Sequence, residues 1–168
     1  MEPIIKTLCW FTIHTKPRKE ELAVEHLQNQ GYVTYLPQIK LNKRLRGHWR
    51  EMIEPLFPRY LFIQANLAET SLSPVRSTHG VIGLVRFGEE LIPVPDEVIA
   101  FLKSMEAGEA APDSPFQRGD AVEILDGPFA GLKGVYDMEK GRDRAFVLLD
   151  LLGSQRAVAI KVDHLSRY

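Results

Sequence analysis

Residues able to do covalent chemistry are thinly spread in this chain. Its single cysteine, Cys9, lies in an apolar run and cannot close a disulfide within the chain. The five histidines, His14, His26, His48, His79 and His164, are scattered, and none shares metal-ligand spacing with Cys9. No glycine-rich loop carries the Lys-Ser/Thr pair that holds phosphates. Asp126-Gly127-Pro128 and Glu139-Lys140-Gly141 read as turns, not acid–base pairs. The expectation is a protein that is not an enzyme and needs no metal or cofactor.

What recurs instead are groups suited to contact. Tyr60 and Phe62 stand two apart, so a regular strand turns both to one side. Such a pair is either partner surface or ordinary core. His26 and Gln30 stand four apart, neighbours on a helix face. Read from spacing alone, they belong to a solvated face around a half-buried His26. Residues 40–50, KLNKRLRGHWR, hold five Lys or Arg beside His48 and Trp49. This segment reads as a basic hairpin tip or mobile loop. It reaches nucleic acid or a protein edge, or is simply solvated.

These groups need elements to position them. Leu8 to His14 reads as a first strand. Thr15-Lys16-Pro17 opens a helix, with Thr as cap and Pro in the first turn, running to Gln30 and stopped by Gly31. Leu22, Ala23, His26 and Leu27 share its inner face. Tyr32 to Ile39 is a second strand. Pro55 and Pro58 hold the start of the apolar stretch 53–64 off a central sheet position, and Tyr60 to Ile63 fills one. Ser73-Pro74 opens a short helix ending near Gly80, Val81 to Phe87 is a strand, and a helix over about 96–105 buries Val98, Phe101, Leu102 and Met105. The order β-α-β-β-α-β-α gives an α/β fold class, a mixed sheet with packed helices, over residues 1–105.

Residues 106–115, EAGEAAPDSP, hold no large apolar side chain and read as a linker. Residues 116–168 form a second module, where glycines 119, 127, 131 and 134 punctuate short apolar runs as in a small barrel. One stretch resists: RAFVLLDLL, 144–152, also suits a helix, because Leu148, Leu149, Leu151 and Leu152 are strong helix formers. Charge divides unevenly. Residues 1–103 carry 13 Lys/Arg against 11 Asp/Glu, and 104–168 carry 8 against 11. Neither half is a general nucleic-acid coat, so contact with nucleic acid should be local. No apolar run is long enough to span a membrane, and the N-terminus lacks a secretory pattern, so the expected compartment is the cytoplasm.

Gly119-Asp120, Val122, Ile124, Gly127, Phe129, Gly131 and Gly134 resemble the KOW motif. Trp10, Pro58-Arg59-Tyr60-Leu61-Phe62, and Gly80-Val81 followed by Val85-Arg86-Phe87-Gly88 resemble the amino-terminal domain of NusG, a family of bacterial transcription elongation factors. Glu54-Pro55-Leu56-Phe57-Pro58 and Leu148-Leu149 bring the likeness nearest to its RfaH antitermination branch. The order of domain, linker and KOW module agrees, so the resemblance spans almost the whole chain.

The resemblance implies a monomer that binds the clamp helices of RNA polymerase and the single-stranded non-template DNA of the transcription bubble. It suppresses pausing and premature termination in selected operons, and recruits a small-subunit ribosomal protein. It implies that the second module packs as an α-hairpin at rest and refolds to the barrel on release. It assigns Tyr60 and Phe62, with Phe57 and Phe87, to the polymerase, and Ser71 and Ser73 to its gate loop. Ser73 as a helix cap is the plainer alternative. It assigns Lys16, His26 and Gln30 to DNA; Arg18 and Lys19 add local positive charge there, and His79 stands where the RfaH pattern has an arginine, completing the DNA-binding set. Glu54 and Arg144 form an interdomain latch, and Leu148, Leu149, Leu151 and Leu152 cover the polymerase site. Two other functions remain open at this point: a general NusG-like elongation factor with a permanently open barrel, and a ribosome-associated KOW protein.

Overall fold

The computed structural model describes residues 8–107 and 132–165. The chain divides into two compact units, Met1–Leu36 with Arg59–Asp96, and Pro37–Pro58 with Glu97–Tyr168.

In the first unit, β1 (Leu8–Thr15), β2 (Val33–Tyr35), β5 (Tyr60–Asn66) and β6 (Val81–Leu84) form one sheet in the order β2-β5-β1-β6. Every pairing is antiparallel, which corrects the expected mixed sheet. The reason is topological. β1, α1 (Glu20–Asn29) and β2 are a strand–helix–strand unit whose strands run the same way, but β5 inserts between them. No two parallel strands therefore become neighbours.

Alternation along the strands gives this sheet two apolar faces. Phe11, Ile13, Leu61, Ile63 and Ala65 pack with Ala23 and Leu27 of α1 and with Leu72, Val75 and Val81. The opposite face carries Trp10, Thr12 and His14 of β1, in register with Gln64, Phe62 and Tyr60 of β5. Between β5 and β6, Ser73–Ser77 forms a short 3-10 turn. The strand expected over 81–87 breaks at Val85, and β7 (Arg86–Phe87) pairs instead with β8 (Glu90–Leu91).

The start of α1 corrects the expected cap. Thr15 ends β1, and its buried hydroxyl has no hydrogen-bond partner among the described residues. The helix begins at Glu20 after a turn in which Arg18 takes φ 61°. Lys19 caps it without a side-chain hydrogen bond, while Glu20 and Glu21 face the positive end of the helix dipole.

In the second unit, the strand expected over 32–39 is split by Pro37, which has no N–H to offer a ladder. Its second part joins a long hairpin, β3 (Gln38–Leu45) with β4 (His48–Pro55), which is what the basic segment forms. The two-residue turn has positive φ at both centres, Arg46 at 51° and Gly47 at 82°. That primed turn matches strand twist and sets the register. α2 (Asp96–Glu106) follows, burying Val98, Ile99 and Leu102.

Of the barrel and the helical packing left open for residues 116–168, the described residues take helices. Leu132–Val135 is a short helix, α3, and Gly141–Leu165 is a 25-residue helix, α4. Leu148, Leu151 and Leu152 of the leucine-rich run are buried. The motif residues from Gly119 to Gly131, and linker residues 108–115, lie outside the described residues. No helix among the described residues is long and apolar enough to cross a membrane.

Candidate functional site

Two groupings in the first unit collect sequence-selected residues. On the second sheet face, Tyr60 and Phe62 do point the same way. Tyr60 stacks on His14 at 5.0 Å between ring centroids, and Phe62 lies 6.3 Å from Tyr35. Phe62 is fully buried, Trp10 nearly so, and Tyr60 half-buried. Burial of the His14 ring, and the Arg59 charge beside it, hold its pKa below the usual histidine value.

Arg59 is held unusually, with φ 73°. Its N–H donates to Glu20 Oε1 at 2.9 Å, its carbonyl accepts from the Thr15 N–H at 2.8 Å, and its Nε reaches the Thr15 carbonyl at 3.4 Å. The buried Glu20 carboxylate thus ties the start of α1 to the start of β5. Sequence reading missed Glu20; an acid in the first helical turn gives no signal that it also anchors a distant loop.

The second grouping lies along α1, against residues 78–80. The His26 and His79 rings are 5.0 Å apart. Gln30 Nε2 donates to Thr78 Oγ1 at 2.9 Å and to the His26 carbonyl at 3.1 Å. The Lys16 N–H donates to the Gly80 carbonyl at 2.8 Å, which sets the Lys16–Lys19 turn, at the start of α1, beside the 78–80 segment that His26 and Gln30 also meet. Gly80 makes this closure possible: its φ is 86°, and a Cβ there would meet the Lys19 carbonyl oxygen at 3.0 Å. Lys16, Arg18, Lys19, His79 and Gln30 are exposed, and His26 is half-buried. Six residues far apart in sequence thereby share one polar surface.

Ser71 and Ser73 sit near the 3-10 turn, both exposed. Ser73 donates its N–H to Ser71 Oγ at 3.2 Å, and Leu72, not Ser73, occupies the cap position. Phe87 is half-buried in β7. Phe57 belongs to the second unit, where it is fully buried.

In the second unit, Glu54 and Arg144 meet. Arg144 Nη2 lies 2.6 Å from Glu54 Oε1, and the Arg144 side chain is wholly buried. The guanidinium also donates to the carbonyls of Leu56 at 2.7 Å, Met138 at 2.8 Å, Glu139 at 3.1 Å and Pro55 at 3.4 Å. A buried charge is tolerable only when so fully bonded. Lys43 adds a second cation, its Nζ 2.7 Å from Glu54 Oε2. Burial raises the Glu54 pKa, but hydrogen bonds from Lys43 and Arg144, with their charges, hold it below the usual carboxylate value. Lys43 was missed, although an Arg-Gly hairpin turn fixes a register in which Lys43 and Glu54 share a face.

Among the described residues, no three His, Cys, Asp or Glu side chains converge as metal ligands. The fold thus assembles an aromatic sheet face, a polar surface beside α1, and a hairpin tied to a helix by the Glu54–Arg144 pair. Residues 8–103 match the family model described as NusG, transcription termination factor nusG, and the chain belongs to that family. It is a NusG-type transcription elongation factor. It is 27% identical to the transcription termination/antitermination protein NusG of Staphylococcus carnosus, covering 94% of each chain. The NusG of Thermus thermophilus is 28% identical, over 90% of this chain and 94% of its own. Among solved structures, one of Thermotoga maritima NusG, described as a domain interaction, matches at 20% identity and TM-score 0.44, over 67% of this chain and 70% of that one.

Proposed function

We propose that this NusG-type factor is gated: it suppresses pausing and termination at selected operons, as the RfaH branch does. The Glu54–Arg144 pair carries the reading. A general factor with a standing barrel needs no buried arginine joining β4 to α4, and the helical state of residues 141–165 supports a resting form distinct from the barrel.

In this reading Tyr60 and Phe62, with Phe57 and Phe87, serve polymerase docking, and Ser71 and Ser73 serve its gate loop. Lys16, Arg18, Lys19, His26, Gln30 and His79 contact the non-template strand. Their common contact with residues 78–80, from both ends of α1, supports a single local DNA footprint. Lysine and arginine meet phosphate, while imidazole and amide groups meet unstacked bases. Glu54 and Arg144 hold residues 132–165 helical until DNA and polymerase together release them. The freed module then adopts the KOW barrel and engages a small-subunit ribosomal protein. The protein works as a monomer in the cytoplasm.

The names of the relatives favour the simpler alternative, a general elongation factor active without a DNA signal. One comparison separates the two. Affinity for core RNA polymerase, without nucleic acid, is measured for the full-length protein and for Glu54→Ala. Gating requires the variant to bind at least about tenfold tighter, a shift of about 1.4 kcal/mol. Equal affinities favour the general reading.

A further inference from the structure

The β3–β4 hairpin has a second set of features that the Glu54 cluster does not use. Cross-strand partners place Arg44 beside Trp49, Asn42 beside Glu51 and Lys40 beside Ile53 on one face. Along that face β3 contributes Lys40, Asn42 and Arg44, while β4 contributes Trp49, Glu51 and Ile53. One edge is cationic and the other largely apolar. Trp49 is 71% exposed and Ile53 59% exposed, whereas the chain's other tryptophan, Trp10, is 6% exposed.

Arg46 extends the cationic edge around the tip. It sits at φ 51°, a left-handed position where glycine or asparagine is favoured and an arginine costs about 1–2 kcal/mol. A side chain kept at a strained position invites a use outside the fold. Lys40, Arg44 and Arg46 are all exposed, and none has an ion pair among the described residues. The two acids of the hairpin do not cancel them: Glu54 is held by Lys43 and Arg144, and Glu51 stands alone in the apolar row.

We propose that this face binds single-stranded nucleic acid, with bases stacked along the Trp49 edge and phosphates along the Arg44 edge. Every base has a π-face, so an exposed indole beside a row of cations suits a strand whose bases are unpaired. A duplex keeps its bases stacked on each other and offers the indole nothing equivalent. Lys40 and Arg44 stand four residues apart, about 14 Å at about 3.4 Å per residue. That length spans about four stacked nucleotides at the per-strand rise of about 3.4 Å. Glu51, in the base row, accepts a hydrogen bond from an exocyclic amine, as of cytosine or adenine. This contact is separate from the polar surface beside α1, which lies on other elements and in the other compact unit.

The test titrates the full-length protein with three 12-mers, d(AC)6, r(AC)6 and a duplex containing d(AC)6, and follows tryptophan fluorescence. Because Trp10 is buried, quenching reports Trp49. The expected result is salt-sensitive quenching by one or both single strands and at least fivefold weaker quenching affinity for the duplex. A preference between DNA and RNA says which strand the face serves. Trp49→Phe, followed by fluorescence anisotropy of a labelled strand, should bind within about threefold of wild type, and Trp49→Ala about tenfold more weakly. Lys40→Ser with Arg44→Ser should lower the slope of log affinity against log salt by about 1.4, at about 0.7 for each phosphate of a single strand that is no longer neutralised. All substitutions are at exposed positions, and circular dichroism checks that each variant is folded. Quenching by the duplex equal to that by the strands, an unchanged salt slope, or no quenching at low salt overturns the proposal.

Discussion

Removing the Glu54 carboxylate tests the junction between β4 and α4 most directly. Arg144 is wholly buried, and its guanidinium keeps four carbonyl acceptors when Glu54 is replaced. Breaking a fully buried pair costs about 3–5 kcal/mol. Here the remaining acceptors, and the 21% exposure of the Glu54 side chain, reduce that. A charged hydrogen bond is worth about 1.5–3 kcal/mol, so Glu54→Ala should destabilise the helical state by about 2 kcal/mol. Arg144→Ala should cost more, about 3–5 kcal/mol, because it leaves Glu54 Oε1 and several carbonyls without their donor, Lys43 still holding Oε2. The assay is a double-mutant cycle on the full-length protein, with urea unfolding followed by helix circular dichroism and by amide shifts of residues 141–153. The reasoning requires a coupling energy of at least about 1 kcal/mol between the two sites. Additive losses, with coupling under about 0.5 kcal/mol, would show that the 2.6 Å contact does not hold the helix.

Three further outcomes follow from the same structure. Because Glu54 titrates below its ordinary value of 4.5, the stabilisation it gives is fully present above that pH and is lost as pH falls through the depressed folded value. Wild type should lose helix signal in that window, and Glu54→Gln should show no matching step. His14 has the opposite chemistry: its neutral form is favoured in the folded state, so stability declines as pH falls from 6.5 towards its lowered pKa. Its imidazole resonances should titrate below 6.5, and Arg59→Ala should move that midpoint upward. Gly80→Ala forces a Cβ into a positive-φ site 3.0 Å from the Lys19 carbonyl oxygen, and thermal unfolding should register a loss of about 1–3 kcal/mol.

Much of the first unit was legible because its signals are local. Alternating apolar residues placed β1 and β5, and the two-residue spacing of Tyr60 and Phe62 gave their shared face without knowledge of any partner strand. The four-residue spacing of His26 and Gln30 likewise put them at one end of α1. The helix start went wrong because Thr15-Lys16-Pro17 is a good cap in isolation. Thr15 is instead claimed by the sheet, where its N–H bonds the Arg59 carbonyl.

Sequence alone determined β1, β5, the body of α1, α2, and the family membership that the match over residues 8–103 confirms. These rest on short-range periodicity and on residue type. Tertiary structure alone decided that β5 separates β1 from β2, that His79 and Lys16 join His26 and Gln30, and that Lys43 shares Glu54 with Arg144. It also decided that residues 141–165 are helical where glycines and leucines argued in opposite directions. A local preference between helix and strand amounts to about 1 kcal/mol or less per residue, and a buried, five-fold bonded arginine with three buried leucines outweighs it.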